Sequence, residues 1–428
     1  MTAQLDPVER LDLYRDRHSR VGASLNALLD TRYDAARAEA EAAAKRIGRG
    51  EAQSPIDGLI MAVKSNIAVA GLPWHAGIGA YRDRIADEDA AVVTRLRTAG
   101  AVIVGTLNME EGALGAVTDN PHFGRCFNPW GEGLTPGGSS GGSGAAVAAG
   151  FVDAALGTDT MGSVRIPAAY CGISGHKPSR GRVSMDGVVP LSTSLDHVGP
   201  LAPTVSRLAQ LDVVMSGRNG QLDTDMTGLR VGRWRFEKAV AVAPEVLSLF
   251  EGGLEQLAAA GAEIVDIEMD RYDYGAMRRR GLIISEVEGH AVHAEILASN
   301  PAGFSPVFTK MLEFGADLSL ERKAAAFTAI AECEMEAARV FEGCDVFVSP
   351  TALETAFPFG ADVPAGQADL TAFADLAGIP ATAVPLGLTP DGLPASIQFM
   401  APKGDDRFAL AVAEKWEALR GPFDLPVR

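Results

Sequence analysis

Residues 137–163 read GGSSGGSGAAVAAGFVDAALGTDTMGS, a stretch that carries two serine-bearing turns beside regular elements. A Gly/Ser loop leads directly into an Ala-rich helix, an apolar strand follows, and a Gly/Thr/Ser turn ends at Ser163. Serines held at the ends of rigid elements are a common way to build a nucleophilic site. The stretch therefore predicts an element of an α/β fold and a candidate nucleophile at its end.

The same rhythm of strand and helix extends outward from this stretch in both directions. A strand is predicted at 59–64, a helix at 90–98 and a second strand at 101–105. Comparable patterns recur farther along the chain, at 141–157, 244–268 and 370–387. We therefore expect an α/β fold with a large mixed β-sheet covered on both sides by α-helices.

The chain shows no fixed-period repeat and no low-complexity linker, so a single domain over 1–428 is predicted. Residues 1–50 are expected to form N-terminal helices, with helical character throughout 5–49. Residues 54–205 are expected to form the catalytic core. The strongly helical segment 270–345 is expected to form a cap or one wall of a pocket within the same domain.

The composition indicates a soluble globular protein with a large core: of 428 residues, 47% are hydrophobic and 22% are charged. The formal net charge of −17 argues against a nucleic-acid partner, because phosphate binding needs a concentration of Lys and Arg. The four cysteines show no CxxC spacing, which favours a reducing compartment.

The first twenty residues are charged and lack the apolar segment of a secretory signal. The longest Gly/Ala-rich apolar stretch, 144–157, is interrupted by Asp153, so no membrane span and no membrane partner are predicted. We expect a cytoplasmic protein.

Three other kinds of site fit the sequence poorly. The Gly-rich loop lacks the GK[ST] of a P-loop and does not follow a strand as a dinucleotide fingerprint would. A Ser-His-Asp triad is disfavoured because neither His122 nor His197, which stands beside Asp196, lies in a GxSxG elbow. His290 and His293 stand one helical turn apart without an HExxH pattern, so we assign them to structure and predict no metal and no cofactor.

Lys64 is the one charged residue of the apolar strand 59–64, and the polar pair Ser65-Asn66 follows it. A strand-end lysine can simply reach solvent. In a low-dielectric site, however, a lysine tends to lose its proton, and a neutral lysine is a competent general base. Lys64 is therefore a candidate base.

Several motifs follow one another along the chain: AVKSN at 62–66, GGSSGGS at 137–143, GTDTMGSVRIPA at 157–168, CGISGHKP at 171–178, GRVS at 181–184 and SLDHVGP at 194–200. In this fixed order, together with weaker matches at 128–130, 376–380 and 392–394, they resemble the amidase signature family.

The resemblance implies a Ser–cis-Ser–Lys catalytic triad, matched motif by motif. The nucleophile falls on Ser163, the bridging serine on Ser139, with Ser140 beside it in support, and the base on Lys64. Neutral Lys64 would draw the Ser163 proton through the Ser139 hydroxyl, which can both donate and accept.

The turn before Ser163 is expected to form an oxyanion hole. Backbone N–H groups of Thr160, Met161 and Gly162 would converge on one point and stabilise a tetrahedral intermediate. Asp159 and Arg165 flank this turn, and we expect them to hold its shape by hydrogen bonds; an ordinary surface ion pair is the alternative.

Two departures from the family pattern concern the substrate pocket. Met161 stands where many members have glycine, and its side chain is expected to narrow or line the acyl pocket. Gly112 stands where members commonly carry an aromatic residue, so Gly112 and Ala113 are expected to leave extra room on the acyl side.

Four functions remain open at this point. The first is an amidase that cleaves the C–N bond of a small-molecule carboxamide, with a homodimer as one possible assembly. The second is the glutaminase-type subunit of a tRNA-dependent amidotransferase, and the third is a hydrolase of a ureide or carbamate. The fourth, a non-catalytic binding module, is disfavoured because all three triad positions are intact.

Overall fold

The computed structural model describes residues 5–220 and 223–426. Its helices in chain order are α1 (Pro7–Leu25), α2 (Tyr33–Gly48), α3 (Ala91–Thr98), α4 (Gly141–Ala148), α5 (Arg165–Cys171), α6 (Val205–Ser216), α7 (Pro244–Ala259), α8 (Tyr274–Ser299), α9 (Pro306–Asp317), α10 (Leu320–Gly343), α11 (Ala372–Ala377) and α12 (Asp406–Arg420).

Its strands are β1 (Leu28–Thr31), β2 (Ile60–Lys64), β3 (Val102–Leu107), β4 (Asp119–Asn120), β5 (Gly124–Arg125), β6 (Ala154–Asp159), β7 (Ser174–Lys177), β8 (His197–Ala202), β9 (Arg230–Trp234), β10 (Glu263–Ile267), β11 (Val346–Pro350), β12 (Ala381–Leu388) and β13 (Pro394–Met400).

One mixed sheet of 11 strands forms the centre of the fold, in the order β1-β3-β2-β6-β8-β7-β12-β13-β11-β9-β10. Strand β2 pairs in parallel with both β3 and β6, whereas β6 pairs with β8 in the antiparallel sense. The predicted α/β fold with a large mixed sheet is confirmed. Strands β4 and β5 form a separate small hairpin.

Both faces of the sheet are buried, as the alternating side chains of β2 demonstrate. Met61 and Val63 belong to one apolar core, while Ile60 and Ala62 belong to another. Because successive side chains of a strand point to opposite faces, two cores mean that helices cover the sheet on both sides. Among the described residues, no helix combines the length and apolar character needed to cross a bilayer.

The prediction of helix throughout 5–49 is wrong at 28–31, where β1 pairs with the edge of the sheet beside β3. Helix α1 ends because Asn26 adopts a left-handed conformation with φ 48°, a common helix stop. The following Ala27 carbonyl accepts a hydrogen bond from the Asn108 N–H at 2.9 Å. Residues 1–4 of the predicted helical segment lie outside the described residues.

The segment 270–345 folds as α8, α9 and α10, in line with its helical pattern. The single-domain assignment over 1–428, with 54–205 as the catalytic core, stays a prediction.

The strand order determines where a site can form. Because β2 and β6 are parallel neighbours, Lys64 and Asp159 end their strands at the same edge of the sheet.

Candidate active site

The amino group of Lys64 is completely buried at the end of β2, among hydroxyl groups. Its Nζ lies 2.7 Å from Ser139 Oγ, 2.9 Å from Ser140 Oγ and 2.8 Å from Thr158 Oγ1. Strand β2 supplies the lysine, the loop before α4 supplies the two serines, and β6 supplies the threonine. The structure therefore joins Lys64 to the predicted bridging serine and to its neighbour.

The partners of each hydroxyl limit which of them can give a proton to Lys64. Ser140 Oγ already donates to the Thr158 carbonyl at 3.1 Å, so toward Lys64 it acts as an acceptor. Ser139 Oγ has no second partner within the described ranges, so its proton is free to go to the amine. A neutral amine has one lone pair, and the Ser139 hydroxyl can donate its hydrogen bond to that lone pair.

Burial lowers the pKa of Lys64 from its usual 10.5 to about 7, although the carboxylates of Asp196, Asp159 and Glu110 oppose this shift. Desolvation disfavours the ammonium form, and the surrounding hydroxyls are neutral. A substantial fraction of Lys64 is consequently neutral near pH 7, the form that a general base requires.

Ser163 lies in the turn between β6 and α5, at the wall of a cavity. The two serine turns meet through the backbone: the Ser140 N–H donates to the Ser163 carbonyl at 3.3 Å. The Gly138–Ser139 peptide bond is cis. Within residues 5–220 and 223–426, the Ser163 hydroxyl has no hydrogen-bond partner, so the structure does not link it directly to the Ser139 hydroxyl.

The predicted oxyanion hole loses one of its three donors. The Gly162 N–H donates to Asp159 Oδ1 at 2.6 Å, and a carboxylate at that distance keeps the donor from a substrate oxygen. The N–H groups of Thr160 and Met161 donate to no protein acceptor among the described residues, and both residues line the cavity. These two remain candidates for the oxyanion hole.

Asp159 and Arg165 are fully buried, which excludes a surface ion pair. Asp159 accepts hydrogen bonds from the N–H of Gly162 and Val164 and from the Arg165 guanidinium. Burial alone would raise the pKa of Asp159, but Arg165 holds it well below its usual range. The pair fixes the backbone of the turn.

Sequence reasoning missed the partners that the second half of the chain contributes to this turn. Arg165 also donates to Asp375 at 2.6 Å and to Gln398 at 2.8 Å, and Thr371 Oγ1 donates to the Met161 carbonyl at 2.7 Å. The weak motif match at 376–380 adjoins Asp375 and is the one signal in the sequence that points to it.

A second partner that sequence reasoning missed is Asp196, which lies inside the motif at 194–200. Its carboxylate accepts from the Thr160 hydroxyl at 2.6 Å and from the backbone of Leu191 and Ser192. Burial raises the pKa of Asp196 to about 6, against these hydrogen bonds. The turn is thus held from both sides.

A cavity of about 370 Å³ opens in front of Ser163. Apolar side chains dominate its wall, and Arg278 is the only formally charged residue among those described as lining it. The lining comes from the 113–116 segment, the turn at 160–163, α5, the loop before β8, α8, α9 and the loop before α11: Ala113, Leu114, Gly115, Ala116, Thr160, Met161, Ser163, Ile166, Leu191, Arg278, Leu282, Ser285, Met311, Val363, Pro364, Ala365, Gln367 and Ala368.

The prediction that Gly112 leaves extra room for the acyl group is wrong. Gly112 has φ 58°, and a Cβ built on it would lie 2.1 Å from the ring of Phe308 on α9. Phe308 therefore fills the space that an aromatic residue at 112 would take. Ala113 lines the cavity, and its place on the acyl side of a substrate stays a prediction.

Met161 also lines the cavity, and its side chain reaches α8 at Gly281. A Cβ on Gly281 would lie 3.0 Å from the Met161 sulfur, so the glycine makes space for the thioether. The turn and the helical segment 270–345 meet at this contact, and α8 supplies part of the pocket wall.

Within the described residues, neither His290 nor His293 belongs to a group of three side chains that could hold a metal ion. His293 is buried against Phe304 and Phe308, and its Nδ1 lies 2.9 Å from the Tyr81 hydroxyl. Another group, His176 with Asp212 and Asp406, has ligand atoms within 4.8 Å of one another. Both of its carboxylates already contact the Arg182 guanidinium, which neutralises the charge that a cation would need.

Removal of metal ions by a chelator is expected to leave amide hydrolysis unchanged. The Lys64 amine and the hydroxyls around it can accept and pass on the Ser163 proton without a metal. Prolonged dialysis against a chelator, followed by an ammonia-release assay, measures this. Activity that is lost and then restored by zinc would contradict the expectation.

Comparisons with known proteins agree with the motif resemblance. The Amidase family model matches residues 9–410. A glutamyl-tRNA(Gln) amidotransferase subunit from Synechococcus sp. (strain RCC307) is 34% identical over 92% of this chain and 90% of its own length. Its counterpart from Anaeromyxobacter dehalogenans (strain 2CP-C) is 34% identical over 94% of this chain and 90% of its own.

Solved structures give the same result. A crystal structure of an amidase superposes with a TM-score of 0.90 at 32% identity, covering 98% of both chains. The peptide amidase from Stenotrophomonas maltophilia superposes with a TM-score of 0.86 at 26% identity, covering 99% of this chain and 96% of its own.

A family match of this length, together with the shared fold, makes the chain an amidase-type enzyme. It belongs to the amidase signature family, and the resemblance predicted from the motifs is confirmed.

Proposed function

We propose that the chain is an amidohydrolase that cleaves a carboxamide C–N bond through an acyl-enzyme on Ser163. The observation that carries the proposal is the contact between the buried Lys64 Nζ and Ser139 Oγ at 2.7 Å, next to Ser140, whose N–H donates to the Ser163 carbonyl at 3.3 Å. A serine hydroxyl is a weak nucleophile until a base takes its proton, and this arrangement supplies the base.

In the acylation step, neutral Lys64 accepts the Ser139 proton while Ser139 accepts the Ser163 proton. Ser163 Oγ bonds to the amide carbon, and the carbonyl electron pair moves to the oxygen. The N–H groups of Thr160 and Met161 are the donors proposed to stabilise that oxygen. The C–N bond then breaks, and the leaving nitrogen takes the proton back along the same path.

Deacylation repeats the path with water. Water gives a proton to the relay as its oxygen bonds to the acyl carbon, and the ester bond to Ser163 breaks. The products are a carboxylic acid and ammonia or an amine, and Ser163 regains its proton. No group beyond the chain and water is needed for atoms and charge to balance.

The acyl group is proposed to be largely apolar in its part next to the carbonyl, because Ala, Leu, Ile and Met side chains surround Ser163 in the cavity. A hydrolysis panel of aliphatic, aryl, aminoacyl and ureido amides, read by ammonia release, tests the reaction and the acyl preference together. If only the ureido compounds were hydrolysed, the proposed substrate would be a ureide and not a carboxamide.

The glutaminase subunit of an amidotransferase is the second candidate, favoured by the 34% identity to the two amidotransferase subunits described above. Ammonia release from glutamine that depends on a partner protein and tRNA would support it. Ammonia release from simple amides by the purified chain alone supports the first candidate. A homodimer and a cytoplasmic location remain predictions.

Met161→Gly is expected to shift substrate preference toward bulky acyl groups without abolishing turnover, because it removes the side chain between the turn and Gly281 of α8. One methylene in an apolar pocket is worth about 1–3 kcal/mol of discrimination, so the ratio of kcat/KM for bulky over small amides should rise about tenfold or more. Kinetics on a series of alkyl amides measures the ratio.

Met161→Leu is the matched control, since it keeps the volume and should keep the ratio. If each variant changes kcat/KM by the same factor for every substrate, Met161 does not select the acyl group.

A further inference from the structure

Arg278 differs from the two arginines beside it. Arg280 uses its guanidinium on Glu332 and the Ala325 carbonyl, and Arg279 pairs with Glu286. Arg278 donates from Nε to Asp369 Oδ1 at 2.6 Å, and within the described ranges its two Nη groups donate to no protein acceptor. It is also the charged member of the cavity lining.

Two contacts link the elements that carry Arg278 and Asp369 to the turn at 160–163, which includes Ser163. Helix α8 touches the turn where Gly281 meets the Met161 side chain, three residues from Arg278. The loop before α11 touches it where Thr371 donates to the Met161 carbonyl, two residues from Asp369. The Arg278–Asp369 pair therefore bridges two elements that both rest on the turn.

On α8, Arg278, Leu282 and Ser285 follow at helical spacing and line the same cavity. The cavity that holds Ser163 is therefore mostly apolar and carries one cation among its described lining residues. Asp369 fixes the guanidinium through Nε, which leaves the Nη edge with donors in fork geometry. Such an edge matches the two oxygens of a carboxylate.

We propose that Arg278 binds a carboxylate on the acyl part of the substrate, so that the preferred substrates are amides whose apolar acyl chain ends in a carboxylate. Asp369 is a positioning residue that orients the guanidinium. This inference rests on the proposed function for its substrate, but it concerns binding and can be tested without turnover.

The experiment measures equilibrium binding to the full chain carrying Ser163→Ala, so that no substrate is consumed. Monoamides of straight-chain dicarboxylic acids are compared with methyl-ended amides of matched length by calorimetric titration. The carboxylate-ended ligands should bind more tightly. Adding Arg278→Met should weaken them by about 10- to 100-fold, the range usual for hydrogen bonds to a charged group, and weaken the methyl-ended ligands far less.

Arg279→Met is the matched control, because this neighbouring guanidinium pairs with Glu286 instead of lining the cavity. It should leave the ratio of the two dissociation constants unchanged. Arg278→Lys keeps the charge but loses the fork, and should keep only part of the preference.

Equal binding of the two series, or an equal loss for both in Arg278→Met, would overturn the inference and reduce the pair to a structural ion pair. The proposed function fails by a different result: no ammonia release from either series by the unsubstituted enzyme, whatever the binding ratio.

Discussion

Ser163→Ala is expected to reduce amide turnover by about four to six orders of magnitude, because it removes the hydroxyl that is proposed to form the acyl-enzyme. The hydroxyl makes no protein hydrogen bond among the described residues and lines the cavity, so its loss leaves no buried partner unsatisfied. Folding should therefore survive the substitution. Ammonia release and thermal unfolding of the same preparation measure the two effects.

A fluorophosphonate reagent should label Ser163 in the unsubstituted chain, as seen by peptide mass spectrometry. Ser299→Ala is the control: Ser299 is exposed at the end of α8, where its hydroxyl donates to the Glu295 carbonyl. Labelling at another residue, or normal turnover by Ser163→Ala, would refute the assignment of the nucleophile.

Lys64→Met is expected to lower kcat by about two to four orders of magnitude, the contribution usual for a general base. Methionine fills similar volume in the buried site but has no group that can accept the Ser139 proton. Lys64→Arg should fare no better, because a guanidinium does not release its proton in this pH range. An active Lys64→Arg variant would exclude the role of base.

The pH profile of the unsubstituted enzyme tests the same role with a definite sign. Below its pKa of about 7, Lys64 is an ammonium that cannot accept a proton, so kcat/KM should fall as the pH decreases through about 7 and level off above it. A rate that rises as the pH falls through this range would contradict neutral Lys64 as the base.

Lys177→Met is the matched control for burial. Lys177 is also fully buried, and burial lowers its pKa to about 8, but its Nζ donates to the Pro178 carbonyl and to no serine among the described residues. Its replacement should change kcat far less than Lys64→Met. If Lys177→Met and Lys64→Met lowered kcat equally, the loss in Lys64→Met would come from removing a buried lysine and would not support a role as base.

The main elements of the fold could be predicted because their signals are local. The strand predicted at 59–64 forms as Ile60–Lys64, and the helix predicted at 90–98 forms as Ala91–Thr98. Lys64 stands out in the sequence as one charge in an apolar strand. Strand β1 has no such signal, because its pairing with β3 depends on residues far along the chain.

The details of the site depend on contacts that a linear pattern does not contain. Phe308 occupies the space beside Gly112 from a helix almost two hundred residues away. The N–H of Gly162 turns toward Asp159 because a buried carboxylate needs donors, and a motif alone does not tell which way an N–H points. Shape and hydrogen-bond direction in this pocket are tertiary properties.

The ion pair between Arg165 and Asp375 spans 210 residues, and it has a consequence for how the enzyme matures. During synthesis, residues 54–205 leave the ribosome well before α11 exists. Until α11 docks, Arg165 lacks Asp375 and the Met161 carbonyl lacks Thr371. The nascent chain thus carries all three candidate catalytic side chains before the two contacts that hold the turn at 160–163 from the C-terminal part can form.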